Sequence, residues 1–81
     1  MKKDALKRLL DGEQFNPNVY SLDGGLPNDR LCLSYDAGNW CAYYSERGSR
    51  IDEEYFASED KACDDLLRRL RELPPSQTRL R

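Results

Sequence analysis

Three cysteines, fifteen carboxylates and no histidine define the chemistry open to this 81-residue chain. Without histidine it lacks the commonest general base and metal ligand near neutral pH. Cys32, Cys41 and Cys63 each lie inside an apolar-patterned segment, and none has a basic neighbour in sequence placed to lower its pKa. They read as buried spectator thiols, not nucleophiles. Their odd number, wide spacing and lack of a C-x-x-C pair argue against both a disulfide framework and a zinc site. Asp52-Glu53-Glu54 has the oxygens to hold a magnesium ion, but neighbouring residues of a strand point to opposite faces and do not converge. Gly24-Gly25 lacks both the glycine spacing and the following lysine of a phosphate loop, so it reads as a turn. These residues predict no catalytic, cofactor-binding or metal-binding group. The chain is expected not to be an enzyme and to need no cofactor.

The acids carry more information through their distribution. Residues 11–65 hold thirteen acidic side chains against four basic ones, while the two flanks hold nine basic against two acidic, within a net charge of −2. An acidic centre attracts basic partners and repels a phosphate backbone. Seven acids fall in residues 52–65, namely Asp52, Glu53, Glu54, Glu59, Asp60, Asp64 and Asp65, opposed there only by Lys61. They are the expected partner-binding face. Tyr43, Glu46 and Arg47 join them as anchors, because Tyr and Arg often carry a large share of binding energy. Glu46-Arg47-Gly48 reads equally well as an ordinary hairpin turn. The rival reading is a nucleic-acid-binding or regulatory module in which Trp40, Tyr43 and Tyr44 stack bases beside Arg47, Arg50 and the basic flanks. Against it, Trp40 and Tyr44 share the apolar face of their segment, so a core role is expected and nucleic acid is not the expected partner.

The elements that must position these groups follow from periodicity. Ala5, Leu6, Leu9 and Leu10 recur at helical spacing and predict a helix over residues 3–10, stopped at Asp11-Gly12. Residues 19–22 predict a short strand, and residues 23–29 a turn. Leu31, Leu33 and Tyr35 alternate with Cys32 and Ser34; Trp40, Ala42 and Tyr44 alternate with Cys41, Tyr43 and Ser45. A further strand over residues 50–56 puts Ile51, Glu53 and Tyr55 on one face. Short turns at residues 36–39 and 46–49 join the runs into an antiparallel meander. Ser58 then caps a helix whose stripe of Ala62, Cys63, Leu66, Leu67, Leu70 and Leu73 should cover the sheet, with Pro74-Pro75 ending it. The prediction is an α+β fold: a small antiparallel sheet of three to four strands against a C-terminal amphipathic helix, with a short N-terminal helix.

One domain over residues 1–75 is all this length supports, and it should bury roughly 60% of the unfolded chain's surface. Residues 76–81 are expected to trail as a flexible basic tail. No run approaches the ~20 apolar residues that span a bilayer, and the N-terminal segment lacks the continuous apolar core of a signal peptide. A cytoplasmic protein with no membrane partner is expected. Its oligomeric state is not set by the sequence, and a monomer is the simplest expectation.

Certain strings point further. They are Tyr20-Ser21-Leu22-Asp23-Gly24-Gly25, Arg30-Leu31-Cys32-Leu33, Trp40-Cys41-Ala42-Tyr43-Tyr44-Ser45-Glu46-Arg47-Gly48 and Phe56-Ala57-Ser58-Glu59-Asp60-Lys61-Ala62-Cys63. Together they resemble small bacterial immunity proteins of polymorphic toxin and contact-dependent growth inhibition systems, over residues 20–70. The resemblance implies an inhibitor that binds one cognate toxin domain in the cytoplasm of the producing cell. Many such toxins are nucleases with basic clefts, and others degrade NAD. The acidic centre independently fits a basic nuclease, an RNase being the expectation, by mimicking the phosphates of its substrate. It does not choose between the toxin classes.

Overall fold

The computed structural model describes residues 1–80. Helix α1 (Lys3–Gly12) is followed by strands β1 (Tyr20–Ser21), β2 (Arg30–Asp36), β3 (Asn39–Glu46) and β4 (Ser49–Phe56), then by α2 (Glu59–Glu72) and the single turn α3 (Pro75–Thr78). The fold is α+β. The strands form one sheet in the order β1-β2-β3-β4, with β2, β3 and β4 antiparallel as the alternation predicts. Ala37, Gly38, Arg47 and Gly48 all have positive φ, so both hairpins close through two-residue turns whose twist matches that of the strands.

β1 departs from the expected meander. It pairs parallel to β2, with Tyr20 beside Leu31 and Ser21 beside Cys32, which makes the sheet mixed. A parallel neighbour cannot be reached by a tight turn, so residues 22–29 pack across the sheet instead. The Gly24 N–H donates to the Leu33 carbonyl at 2.8 Å, and the Tyr43 hydroxyl donates to the Gly25 carbonyl at 2.6 Å. Gly24 has φ +72°, and a Cβ there would lie 3.3 Å from the Ser34 Cβ, so this close approach requires glycine.

A bulge breaks the alternation of β4. Ile51 lies opposite Tyr44, but Glu54 lies opposite Ala42 and Tyr55 opposite Cys41, with Asp52 at φ +55° absorbing the shift. Ile51 therefore shares the helix-side face with Tyr44, and Tyr55 falls on the other face with Cys41. The expected common face of Ile51, Glu53 and Tyr55 does not form.

Ser58 caps α2 by accepting the Lys61 N–H at 3.2 Å, with Glu59 and Asp60 at the positive end of the helix dipole. Ala62, Cys63, Leu66, Leu67 and Leu70 are buried against Leu31 and Leu33 of β2 and Leu6 and Leu10 of α1. Each leucine buried in this way contributes roughly 1.5–3 kcal/mol. Leu73 departs from the predicted stripe, because the helix ends before it and leaves it 36% exposed.

Two local expectations at the chain ends are corrected. α1 runs through Gly12 and stops at Gln14 (φ +61°), where the N–H groups of Gln14 and Phe15 donate to the carbonyls of Asp11 (3.1 Å) and Leu10 (3.0 Å). This pairing satisfies the last helical carbonyls and buries Phe15 against Leu10. The segment expected to trail free packs instead. Thr78 is buried, its carbonyl accepts the Asn16 N–H at 2.7 Å, and the Leu80 N–H donates to the Gln14 carbonyl at 2.7 Å. The Arg79 guanidinium lies 3.5 Å from the centroid of the Phe15 ring. Arg81, the last residue of that expected tail, lies outside the described residues.

Candidate partner interface

α2 packs its buried stripe over β2 and β3, and β4 stays open. Residues 51–55 are all exposed, whereas four of the eight residues of β3, Cys41, Ala42, Tyr43 and Ser45, are buried. β4 is also an edge strand, so backbone N–H and C=O groups on its outer side have no strand partner. Between β4 and the C-terminal half of α2 runs a groove of about 630 Å³. Leu31, Tyr44 and Leu73 give it apolar surface; Asp52, Glu53 and Glu54 come from the strand side, and Arg68, Arg69 and Glu72 from the helix side.

The two walls differ in how their charges are used. On the helix, Arg68 donates to Glu72 at 2.5 Å and to Asp65 at 2.8 Å, and Arg69 Nε donates to Asp65 at 2.8 Å. That wall neutralises itself. On the strand, Asp52 and Glu54 have no ion-pair partner among the described residues. Glu53 turns away from them, accepting the Tyr55 hydroxyl at 2.9 Å and lying 3.9 Å from Arg50.

The seven acids that are near neighbours in sequence do not form one face. Asp52 and Glu54 border the groove. Glu59 and Asp60 sit in the first turn of α2, at the other end of the helix, where Glu59 accepts the Lys3 N–H at 2.7 Å. Asp64 is exposed on the helix, and Asp65, with its side chain only 11% exposed, is held by two arginines. A strand and a helix running from one end of the sheet simply carry a continuous acidic run to different places.

Tyr43 is withdrawn from the set of surface anchors. It has no exposed surface, packs with Cys32 and Cys41 on the sheet face opposite α2, and is roofed by the residue 22–29 loop. Glu46 is half-buried at the end of β3, and Arg47 is exposed at the tip of the β3–β4 turn. Tyr43 instead belongs to an internal assembly. The Arg50 guanidinium stacks 4.2 Å from the Tyr43 ring centroid and donates to Asp36 Oδ2 at 2.6 Å, and the Ser34 hydroxyl donates to the same oxygen at 2.9 Å.

The titrating groups agree with that packing. Arg50, and then the Ser34 hydroxyl, hold the Asp36 carboxyl below its ordinary value. Burial pushes the Tyr43 phenol up to about 12, and burial followed by the charge of Glu59 pushes the Cys63 thiol up to about 11. Burial also raises Cys32 and Cys41. All three thiols are free and buried. Among the described residues, no group of three or more His, Cys, Asp or Glu side chains could hold a metal ion, and no helix is long and apolar enough to cross a membrane.

Of the groove residues, the sequence marks Leu31 and Leu73 only as core positions and Tyr44 only as core or a base-stacking candidate, and it does not single out Arg68, Arg69 or Glu72. The one signal for them is indirect: a stripe residue, Leu73, placed just before Pro74-Pro75, where the helix can no longer press it onto the sheet. No protein-family model, curated protein or solved structure matches the chain.

Proposed function

We propose that this protein is an immunity protein: it binds and neutralises a cognate antibacterial toxin, a basic nuclease acting on RNA, in the cytoplasm of the producing cell. The observation that carries this reading is the pair Asp52 and Glu54. They are carboxylates without an ion-pair partner among the described residues, on an exposed edge strand beside a groove with apolar surface from Leu31, Tyr44 and Leu73. A nuclease cleft is built to hold phosphates, so carboxylates presented on a fixed strand substitute for substrate charge and speed encounter. Inhibition then needs no chemistry from this chain, only occupation of the cleft or its approaches. The resemblance over residues 20–70 supports the same reading. The nucleic-acid alternative gains little support, because Tyr43 has no face to stack on a base and Trp40 is half-buried against the helix-side core.

The test is to read the adjacent upstream gene, expected to encode a toxin domain, and to co-express that domain with this protein. Restored growth, and a stoichiometric complex on size-exclusion chromatography, are the expected results. Failure to protect, together with RNA binding in a gel shift that weakens steeply with salt, would replace this reading with the nucleic-acid one.

A further inference from the structure

We infer that the groove between β4 and α2 is an anchoring pocket for an arginine side chain presented by the partner protein. This rests on the toxin-binding reading and adds to it where the partner docks and through which residue type.

The molecule holds its own arginines in a recurring arrangement. Arg50 lies over the ring of Tyr43 and bonds the carboxylate of Asp36. Arg79 lies over the ring of Phe15, with Glu13 Oε1 3.7 Å from its guanidinium. In each case an aromatic face and a carboxylate grip one guanidinium between them, as its flat and weakly hydrated cation favours. The groove repeats the first two parts with Tyr44 and the carboxylates of Asp52 and Glu54, but no arginine among the described residues completes the set. Arg68 and Arg69 line the far wall with their guanidiniums bonded to Asp65 and Glu72.

Charge and shape select the occupant. The lining carries two more carboxylates than guanidiniums, so a cation is favoured and an anion opposed. Leu31 and Leu73 offer apolar surface for a three-methylene stem, and Ile51, opposite Tyr44 in register, extends the same face. Asp52, at the bulge, and Glu54, two residues on, both line the groove, and a forked guanidinium suits paired carboxylates better than a lysine ammonium, a point charge.

The probe is a short capped peptide, acetyl-Gly-Leu-Arg-Leu-Gly-amide, beside versions with lysine and with neutral citrulline in place of arginine. Amide chemical shifts of the labelled protein are followed up to about 5 mM peptide, enough to fill even a millimolar site. The arginine peptide should move residues 51–54 and 68–73, the lysine peptide should move them less, and the citrulline peptide should leave them still. Leu73→Lys, at an exposed position past the helix end, should weaken the arginine peptide about tenfold while keeping the dispersed spectrum of the folded protein. Equal shifts with citrulline, shifts centred elsewhere, or no shifts at all would overturn the pocket.

The toxin itself separates this proposal from the functional reading. If the wild-type protein protects cells and Leu73→Lys binds the toxin equally well, the anchor falls and the immunity reading stands. If the arginine peptide maps to the groove but the protein gives no protection, the pocket stands and the immunity reading falls.

Discussion

β3 and β4 are neighbours of equal length in one sheet, yet they serve different ends. β3 is covered by α2 on one side and by the residue 22–29 loop on the other, and its central residues Cys41, Ala42 and Tyr43 are fully buried. β4 has one neighbour, packs on the core only at its Phe56 end, and carries the exposed Asp52, Glu53 and Glu54 at its centre. Burying such a run would cost far more than its backbone pairing returns, so its side chains are compatible only with solvent or with a partner. Folding is concentrated in β3, and β4 is left free for recognition.

The largest test of that division is truncation. Tyr43→Ala should destabilise the protein by about 3–5 kcal/mol, whereas Tyr55→Ala on β4 should change stability by less than about 1 kcal/mol. Denaturant melts of the two variants decide it, and comparable losses would erase the distinction. Next in size is the response to alkali. Cys63 and Tyr43 have folded pKa values raised above their ordinary ones, so their contribution is complete below the ordinary thiol value of 9.0 and is lost as pH rises through about 11 and about 12. Urea midpoints should be flat from neutrality to about pH 8 and fall steadily above it, with Cys63 labelling slowly in the native state. A flat profile to pH 11 would place these groups in solvent.

A smaller effect is expected from the Arg50–Asp36 pair, which ties β4 to β2 across β3. Arg50→Met should lose about 1 kcal/mol, because the charged hydrogen bond to Asp36 is partly open to water. The Asp36 carboxyl is held low, so its contribution is present above the ordinary value of 3.8 and disappears as pH falls through the folded value. The acid limb of the stability profile should therefore be shallower in Arg50→Met than in the parent. Smallest of all, Arg47→Gly should gain roughly 0.5 kcal/mol by relieving a side chain at φ +51°, read as a small rise in melting temperature.

The parts of the fold legible in the sequence are those where one pattern acts locally. Alternation located β2, β3 and the presence of β4, and Ser58 with its leucine stripe located α2, because burial on one face leaves a periodic trace. The place of β1 was legible but its parallel pairing was not, because two residues carry no pattern and parallel pairing depends on a loop packing over Tyr43. The bulge at Asp52 was hidden because one residue in a left-handed conformation reverses side-chain parity without altering composition. The acidic run was legible as charge but not as a surface. Its division between a strand and the first half of a helix, and the internal pairing of Asp65 with two arginines, are tertiary facts.

The central claim is that Asp52 and Glu54, not the acids in the first half of α2, lead the encounter with the partner. Stopped-flow association with the cognate toxin across a salt series tests it most directly, comparing Asp52→Asn/Glu54→Gln with Asp60→Asn/Asp64→Asn. The strand pair should lower the association rate about tenfold or more at low salt and flatten its salt dependence, with melting unchanged, and the helix pair should leave both near those of the parent. An unchanged rate in the strand pair, or an equal loss in the helix pair, would contradict the account.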